Sequence, residues 1–227
     1  MNSVVPGLYE LPLGQVNVHL LETRDGLILI DTGMPGNGPA IEAALQSIDR
    51  SPADIRHIVV THCHWDHSGS LAEVKQLTGA SVIMHATDAA MIRQGETLRP
   101  LSPGPGLVNK MVYRMIIRNA RSEMEPVEIE RDVTDGESLP GGLRAIHAPG
   151  HCAGQIVLYW PEQGGVLLAA DSCASFFGLA MSPAYEDLEQ GRRDLARIAR
   201  ETFEVAVFGH GKPITSGASE RFRKKWA

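Results

Sequence analysis

The sequence has little cysteine, few aromatic residues and no excess of basic charge. Three cysteines occur in 227 residues, too few for the disulfide framework of a small secreted protein. Aromatic residues make up only 5% of the chain, and no apolar run approaches the roughly 20 residues needed to cross a bilayer. With 21 Lys and Arg against 27 Asp and Glu, the formal charge is −6. That balance argues against a general phosphate-backbone binder, which would carry a basic stripe. Residues 1–7 show no basic region followed by an apolar stretch, so no secretory signal is expected. The expected setting is cytoplasmic, with a small-molecule substrate and neither nucleic acid nor membrane as partner. The chain is 43% hydrophobic, enough for one domain over residues 1–227 with a sizeable core.

Segments rich in β-branched and aliphatic residues predict strands at 16–22, 27–30, 55–60, 81–84, 127–130, 143–147, 155–160, 166–170 and 205–208. The run at 55–60 is almost continuously apolar, as expected of a strand buried on both faces. Helical periodicity appears at 39–48, 71–77, 107–118 and 188–202. Strand groups with helices between them fit an α+β layered architecture, sheets inside and helices outside. The Pro- and Gly-rich stretch 99–106 precedes a helix with Leu107, Val108, Met111, Val112, Met115 and Ile116 on one broad face. Two readings stand: a peripheral helix packed on the core, or a lid over about 93–125, which could also be a homodimer contact.

The chemistry is concentrated after the strand at 55–60, in Thr61-His62-Cys63-His64-Trp65-Asp66-His67-Ser68-Gly69. This H-x-H-x-D-H pattern packs imidazoles and a carboxylate, the ligands that suit Zn²⁺, Fe²⁺ and Mn²⁺. His62 and His64 project the same way if the strand direction continues, because side-chain direction repeats every two residues. A following turn can re-aim Asp66 and His67 toward a neighbouring point. Three later residues extend the set: His151 in a tight turn, Asp171 at the end of an apolar run, and His210 within Phe208-Gly209-His210-Gly211. Each falls at the mouth of an expected strand, beside residues that let the chain turn sharply. Together these residues suffice for two metal positions.

With these motifs, the sequence resembles the metallo-β-lactamase superfamily. Its five motifs occur in order: Asp31 in Ile30-Asp31-Thr32-Gly33, the His62–His67 cluster, His151, Asp171 and His210. The resemblance covers about residues 8–214. It implies a four-layer αββα sandwich of two mixed β-sheets flanked by helices, with metals at one edge. It also implies that His62, His64 and His151 hold one ion, that Asp66, His67 and His210 hold the second, and that Asp171 bridges both. Asp31 would steady the metal-binding loop without touching an ion.

Two divalent ions, zinc first and iron or manganese as alternatives, would lower the pKa of a shared water toward about 7. The expected reaction is attack of that metal-bridging hydroxide on an ester, thioester or lactone carbonyl, with Asp66 carrying a proton to the leaving group. The quorum-signal lactonases within the family are nearest in size and ligand set, but Ala174 stands where they carry a tyrosine. Tyr185 is the candidate to replace it as a catalytic residue. Arg93, Arg99, Lys110 and Arg114 could meet an anionic substrate or form a solvated rim. Cys63 and Cys152 are read as small buried hydrophobes, while Cys173, two beyond Asp171, could return toward the metals. His19, His57, His85 and His147 are expected to satisfy local hydrogen bonds. Other readings are a mononuclear iron oxidoreductase of the persulfide dioxygenase kind at His62, His64 and His151, promiscuous β-lactam hydrolysis, and a non-catalytic binding scaffold.

Overall fold

The computed structural model describes residues 1–115, 117–120 and 122–227. Seven strands form the first sheet: β1 (Asn2–Val5), β2 (Leu8–Leu13), β3 (Val16–Thr23), β4 (Gly26–Ile30), β5 (Ile55–Val60), β6 (Ser81–His85) and β8 (Arg131–Val133), adjacent in that order. Pairing is antiparallel up to β4 and parallel from β4 onward. The second sheet has four strands: β9 (Arg144–His147), β10 (Ile156–Trp160), β11 (Val166–Leu168) and β15 (Val205–Val207). Two short ribbons pair β7 (Ser102–Pro103) with β14 (Ala184–Tyr185), and β12 (Cys173–Ala174) with β13 (Ala180–Met181).

Alternation along each strand divides the core into three apolar layers. On β4, Ile28 and Ile30 face the second sheet, where they meet residues such as Ile156, Leu158 and Val207. Leu27 and Leu29 face the other way, toward Ile41 and Leu45 of helix α1 (Gly38–Gln46) and Leu71 and Val74 of α3 (Leu71–Thr78). On the far side of the second sheet, Val157, Leu167 and Ala206 pack against Leu195 and Ile198 of α6 (Leu188–Ile198) and Phe222 of α7 (Ala218–Trp226). The strands are apolar on both faces because both faces are covered. The result is the expected αββα sandwich.

Several elements depart from the sequence reading. The Val-Glu-Ile-Glu run at 127–130 alternates like a strand but does not pair as one; the strand is β8, immediately after it. Val127 and Ile129 still enter the helix-side core, as loop residues beside α4 (Ala86–Ile92). α5 spans Leu107–Met115 and buries none of its residues, so the apolar face expected to pack on the core does not. Leu107, Val108, Met111 and Met115 are exposed, and Ile116 of the predicted helix lies outside the described residues. Among the described residues, no helix is long and apolar enough to cross a membrane.

Candidate metal centre

Strand direction brings the motifs to one edge. β4 and β5 run parallel with Ile30 opposite Val59, so Asp31 and Thr61 emerge side by side. β11 and β15 are parallel with Leu168 opposite Val207, which delivers Asp171 and His210 to neighbouring positions. The turn after β9 carries His151, and Ile156 at the start of β10 donates its N–H to the Thr61 carbonyl at 2.9 Å, joining the two sheets at this edge. The short helix α2 (Trp65–Ser68) then turns Asp66 and His67 inward. The Ser68 hydroxyl braces that turn by donating to the carbonyls of Cys63 and His64, at 2.8 and 3.1 Å.

Three donor groups result: His62 with His64 and His151, His62 with His67 and Asp171, and Asp66 with His67 and His210. Within each, the ligand atoms lie no more than 4.8 Å apart. Asp171 reaches across the groups, with Oδ2 lying 3.1 Å from His210 Nε2 and 3.8 Å from His151 Nε2, and Oδ1 3.4 Å from His67 Nε2. All the donors proposed from the sequence as ligands are thus brought together.

Protein acceptors hold the far nitrogen of most of these rings. Nδ1 of His67 donates to Asp31 Oδ2 at 2.8 Å, Nδ1 of His151 to the Ala184 carbonyl at 2.8 Å, and Nδ1 of His210 to the Gln15 carbonyl at 2.6 Å. His62 Nδ1 lies 3.0 Å from the Thr61 hydroxyl, which itself donates to Asp31 at 2.9 Å. With Nδ1 committed as the donor, the neutral form of each of these rings presents its lone pair at Nε2, the form a metal ligand needs. His64 is turned the other way, with Nδ1 3.1 Å from His151 Nε2.

The donors fit divalent ions by a direct structural test. Nε2 of His62 and His67 and Oδ1 of Asp171, which fall in one donor group, are buried with no hydrogen-bond partner among the described residues. Buried polar atoms are rarely left so. A group of orphaned lone pairs converging on common points is what a cation would satisfy.

Charge divides the centre in two. Burial pushes His62 well below the ordinary histidine range and His64 down to about 3, and it lowers His151 as well. Burial alone would do the same to His67 and His210. The carboxylates of Asp171 and Asp66, joined by Asp31 at His67, outweigh it, raising His67 well above the usual range and His210 to about 10. Asp66 and Asp171 are in turn held below the usual carboxylate range: burial opposes this, and the two imidazolium neighbours overcome it. After chelation, a charged His210 therefore stabilises the fold fully below about pH 6.5, the ordinary histidine value. That contribution is lost as pH rises through about 10. Urea unfolding of chelator-treated protein should give lower stability at pH 9.5 than at pH 6, and a flat profile over that range would contradict the assignment.

Asp31 is placed by backbone strain. Its φ of +65° is unusual for a residue other than glycine. The bend lets the carboxylate accept from the Thr61 N–H and hydroxyl and from His67 at once. Strain of this kind persists only where the surroundings over-determine it. Asp31→Asn should lower metal affinity about 10–100-fold, the usual cost of losing a partner that orients a metal ligand; competition with a chromogenic chelator would measure it.

Two expectations need correction. Tyr185 does come close to the cluster, its ring centroid 5.8 Å from that of His151. However, it is wholly buried, and its hydroxyl donates to the Ser172 carbonyl and accepts from the Ser182 N–H, both at 2.8 Å. With donor and acceptor both committed to main chain, it supports the His151 turn and has no free hydroxyl for a substrate. Cys173 packs with Phe208 and Phe222 beneath the second sheet, on the side away from the space between the sheets. Of the arginines expected either to meet a substrate or to form a solvated rim, Arg93 is exposed and pairs with Asp132 at 2.7 Å, while Arg99 is half-buried and pairs with Asp88 at 2.8 Å and Glu186 at 3.2 Å. The sequence reading missed Asp88 and Gly209, because their roles arise only from long-range contacts.

Buried imidazoles and carboxylates, aimed together at one edge of an αββα sandwich, define a class of metal-binding enzymes. The family model of the metallo-beta-lactamase superfamily matches residues 11–210, and the chain belongs to that superfamily. It is 29% identical to the uncharacterized protein YobT of Bacillus subtilis (strain 168), over 92% of this chain and 88% of that one. It is 27% identical to the probable metallo-hydrolase YqjP of the same organism, over 90% and 69%. It is also 27% identical to an N-acyl homoserine lactonase of Bacillus thuringiensis, over 92% and 85%. Among solved structures, a metallo-beta-lactamase family protein of Thermus thermophilus superposes with a TM-score of 0.72, at 25% identity over 98% of this chain and 79% of that one.

Proposed function

We propose that this protein is a dinuclear metal-dependent hydrolase acting on the carbonyl of an ester, thioester or lactone. The observation that carries this reading is the set of orphaned buried polar atoms on His62, His67 and Asp171, in one of three overlapping donor groups that share His62 and His67. His62, His64 and His151 would hold one ion and Asp66, His67 and His210 the other, with Asp171 common to both. Zinc suits this set of imidazole and carboxylate ligands. When bound, such ions bring the pKa of water toward about 7 and polarise a carbonyl oxygen.

The chain's own groups do the rest. Asp31, Ala184, Gln15 and Thr61 hold the Nδ1 side of four of these imidazoles and keep Nε2 aimed at the centre. Asp66 is the more solvent-reaching of the two cluster carboxylates, which suits it to carry a proton out to the leaving group. The lactonase relative supports a carboxylic ester or lactone as substrate. A single-iron oxidoreductase would use His62, His64 and His151 and leave Asp66, His67 and His210 without a task.

Chelator-stripped protein reloaded with Zn²⁺, Mn²⁺ or Fe²⁺ would test the proposal, with metal content measured alongside a panel of lactones, thioesters, phosphoesters and β-lactams. Two ions per chain and turnover of a lactone or thioester are expected. One iron per chain with oxygen uptake on a thiol substrate, or turnover confined to β-lactams or phosphoesters, would overturn it.

A further inference from the structure

We infer that Asp88, held by Arg99, is a positioning residue that sets the geometry of only one of the two ion positions, the one formed by His62, His64 and His151. The inference rests on the dinuclear reading above. Asp88 lies in α4, just past β6, and is wholly buried. Its Oδ2 accepts the N–H of Cys63, between His62 and His64, at 2.9 Å, and the thiol of Cys152, next to His151, at 3.1 Å. Its Oδ1 accepts the N–H of Gly154, on the same turn as His151, at 3.0 Å, and Nη1 of Arg99 at 2.8 Å. One carboxylate therefore ties together two turns that are far apart in sequence.

Arg99 extends the tie. The same Nη1 reaches Glu186 Oε1 at 3.2 Å, and Glu186 Oε2 accepts the N–H of Ala153 at 3.1 Å. Glu186 also donates its own N–H to the His151 carbonyl at 3.1 Å. The fit is close: a Cβ on Gly154 would stand 2.4 Å from Asp88 Cγ, so the turn can reach the carboxylate only with glycine there.

Cys63, Asp88 and Cys152 come close enough to suggest a third ion site. The carboxylate oxygens are already taken by N–H groups, a thiol and a guanidinium, and the cation of Arg99 occupies the place a metal would need. By contrast, the other set of ligands is held by different groups. The Asp31 carboxylate and the Thr32 N–H and hydroxyl hold the α2 turn, and the Gln15 carbonyl holds His210. Among the described residues, Asp88 makes no hydrogen bond to Asp66, His67 or His210. Rearranging Asp88 should therefore disturb one ion position and spare its neighbour.

The test is Asp88→Asn. Asparagine keeps the volume but replaces one acceptor by an NH₂ group, which confronts a main-chain N–H and leaves it unpaired. Stripped wild-type and variant proteins would be titrated with Co²⁺, followed by visible absorption and calorimetry, with His151→Ala and His210→Ala identifying which binding event belongs to which position. Two events are expected for the wild type. In Asp88→Asn, the event removed by His151→Ala should weaken about 10–100-fold, as for loss of other partners that orient metal ligands, and the event removed by His210→Ala should stay unchanged. Arg99→Lys, which keeps the charge but loses the planar guanidinium whose Nη1 holds Asp88 and Glu186 while Nη2 donates to the Thr87 carbonyl, should weaken the same event and serves if the first variant does not fold. Equal weakening of both events, or a lowered Tm with both affinities intact, would mean that Asp88 is structural only. A wild type that binds fewer than two ions would overturn the dinuclear reading itself.

Discussion

An Asp171→Ala protein is expected to lose its bound metal and, with it, more than about a hundredfold in kcat/KM. Loss of a group that merely orients a ligand costs about 10–100-fold, and Asp171 lies nearer the centre than any such group. Its two oxygens approach His67, His151 and His210 within 3.1–3.8 Å, and Oδ1 has no hydrogen-bond partner of its own. Alanine would remove the one side chain that touches both proposed ion positions, and it would leave His67 and His210 without their main source of negative charge. Metal analysis beside steady-state kinetics would check this; full turnover in a metal-depleted Asp171→Ala protein would exclude the proposed chemistry.

Gly209→Ala is expected to cut turnover about a hundredfold while the protein still folds. The backbone at Gly209 does not lie in the left-handed region, so alanine carries no conformational penalty there. The obstacle is steric. A Cβ would stand 2.1 Å from Asp171 Oδ1 and 2.7 Å from His67 Cε1, where real Cβ contacts essentially never fall below 3.0 Å. Both groups must move by roughly an ångström, and a misplacement of that size costs about 10² in rate. Kinetics paired with far-UV circular dichroism would check this; unimpaired activity in a folded variant would show that the edge of the site yields more freely than its packing suggests.

How far these positions could be read in advance differs by residue. His62, His64, Asp66 and His67 announce themselves because they are packed behind a strand whose apolar run is nearly continuous. His151, Asp171 and His210 follow because each closes a recognisable strand. Strands β1 and β2 carry no such signal. The Pro6-Gly7 turn, the charged Glu10 and Pro12, which lacks a backbone N–H, interrupt their pattern, and β2 becomes a strand because β3 supplies its ladder. The helix α4 escapes a sequence reading for a related reason: its start is fixed by the His85 ring accepting from the Thr87 N–H at 3.3 Å, a cap outside the usual Ser, Thr, Asp and Asn set. α5 goes the other way. Its apolar periodicity is real, but the fold places nothing over that face among the described residues.

Tyr185 shows the limit for a side chain. Nothing local separates a tyrosine that faces a substrate from one whose hydroxyl is spent on the main chain at Ser172 and Ser182. That difference is made by the β7–β14 ribbon and the approach of Gly191, at which a Cβ would stand 2.5 Å from the tyrosine ring. Asp88 is the converse case, an acidic residue in an ordinary-looking helix that joins two loops.

The amino-acid sequence alone determined the layers, the chemical nature of the donors and their position at strand ends, because apolar alternation and ligand spacing are local properties of the chain. Which donors share a point, which tautomer each imidazole holds, and which glycines must lack a side chain were decided by tertiary structure. Those outcomes depend on distances of a few ångströms between segments that meet only when two sheets pack face to face.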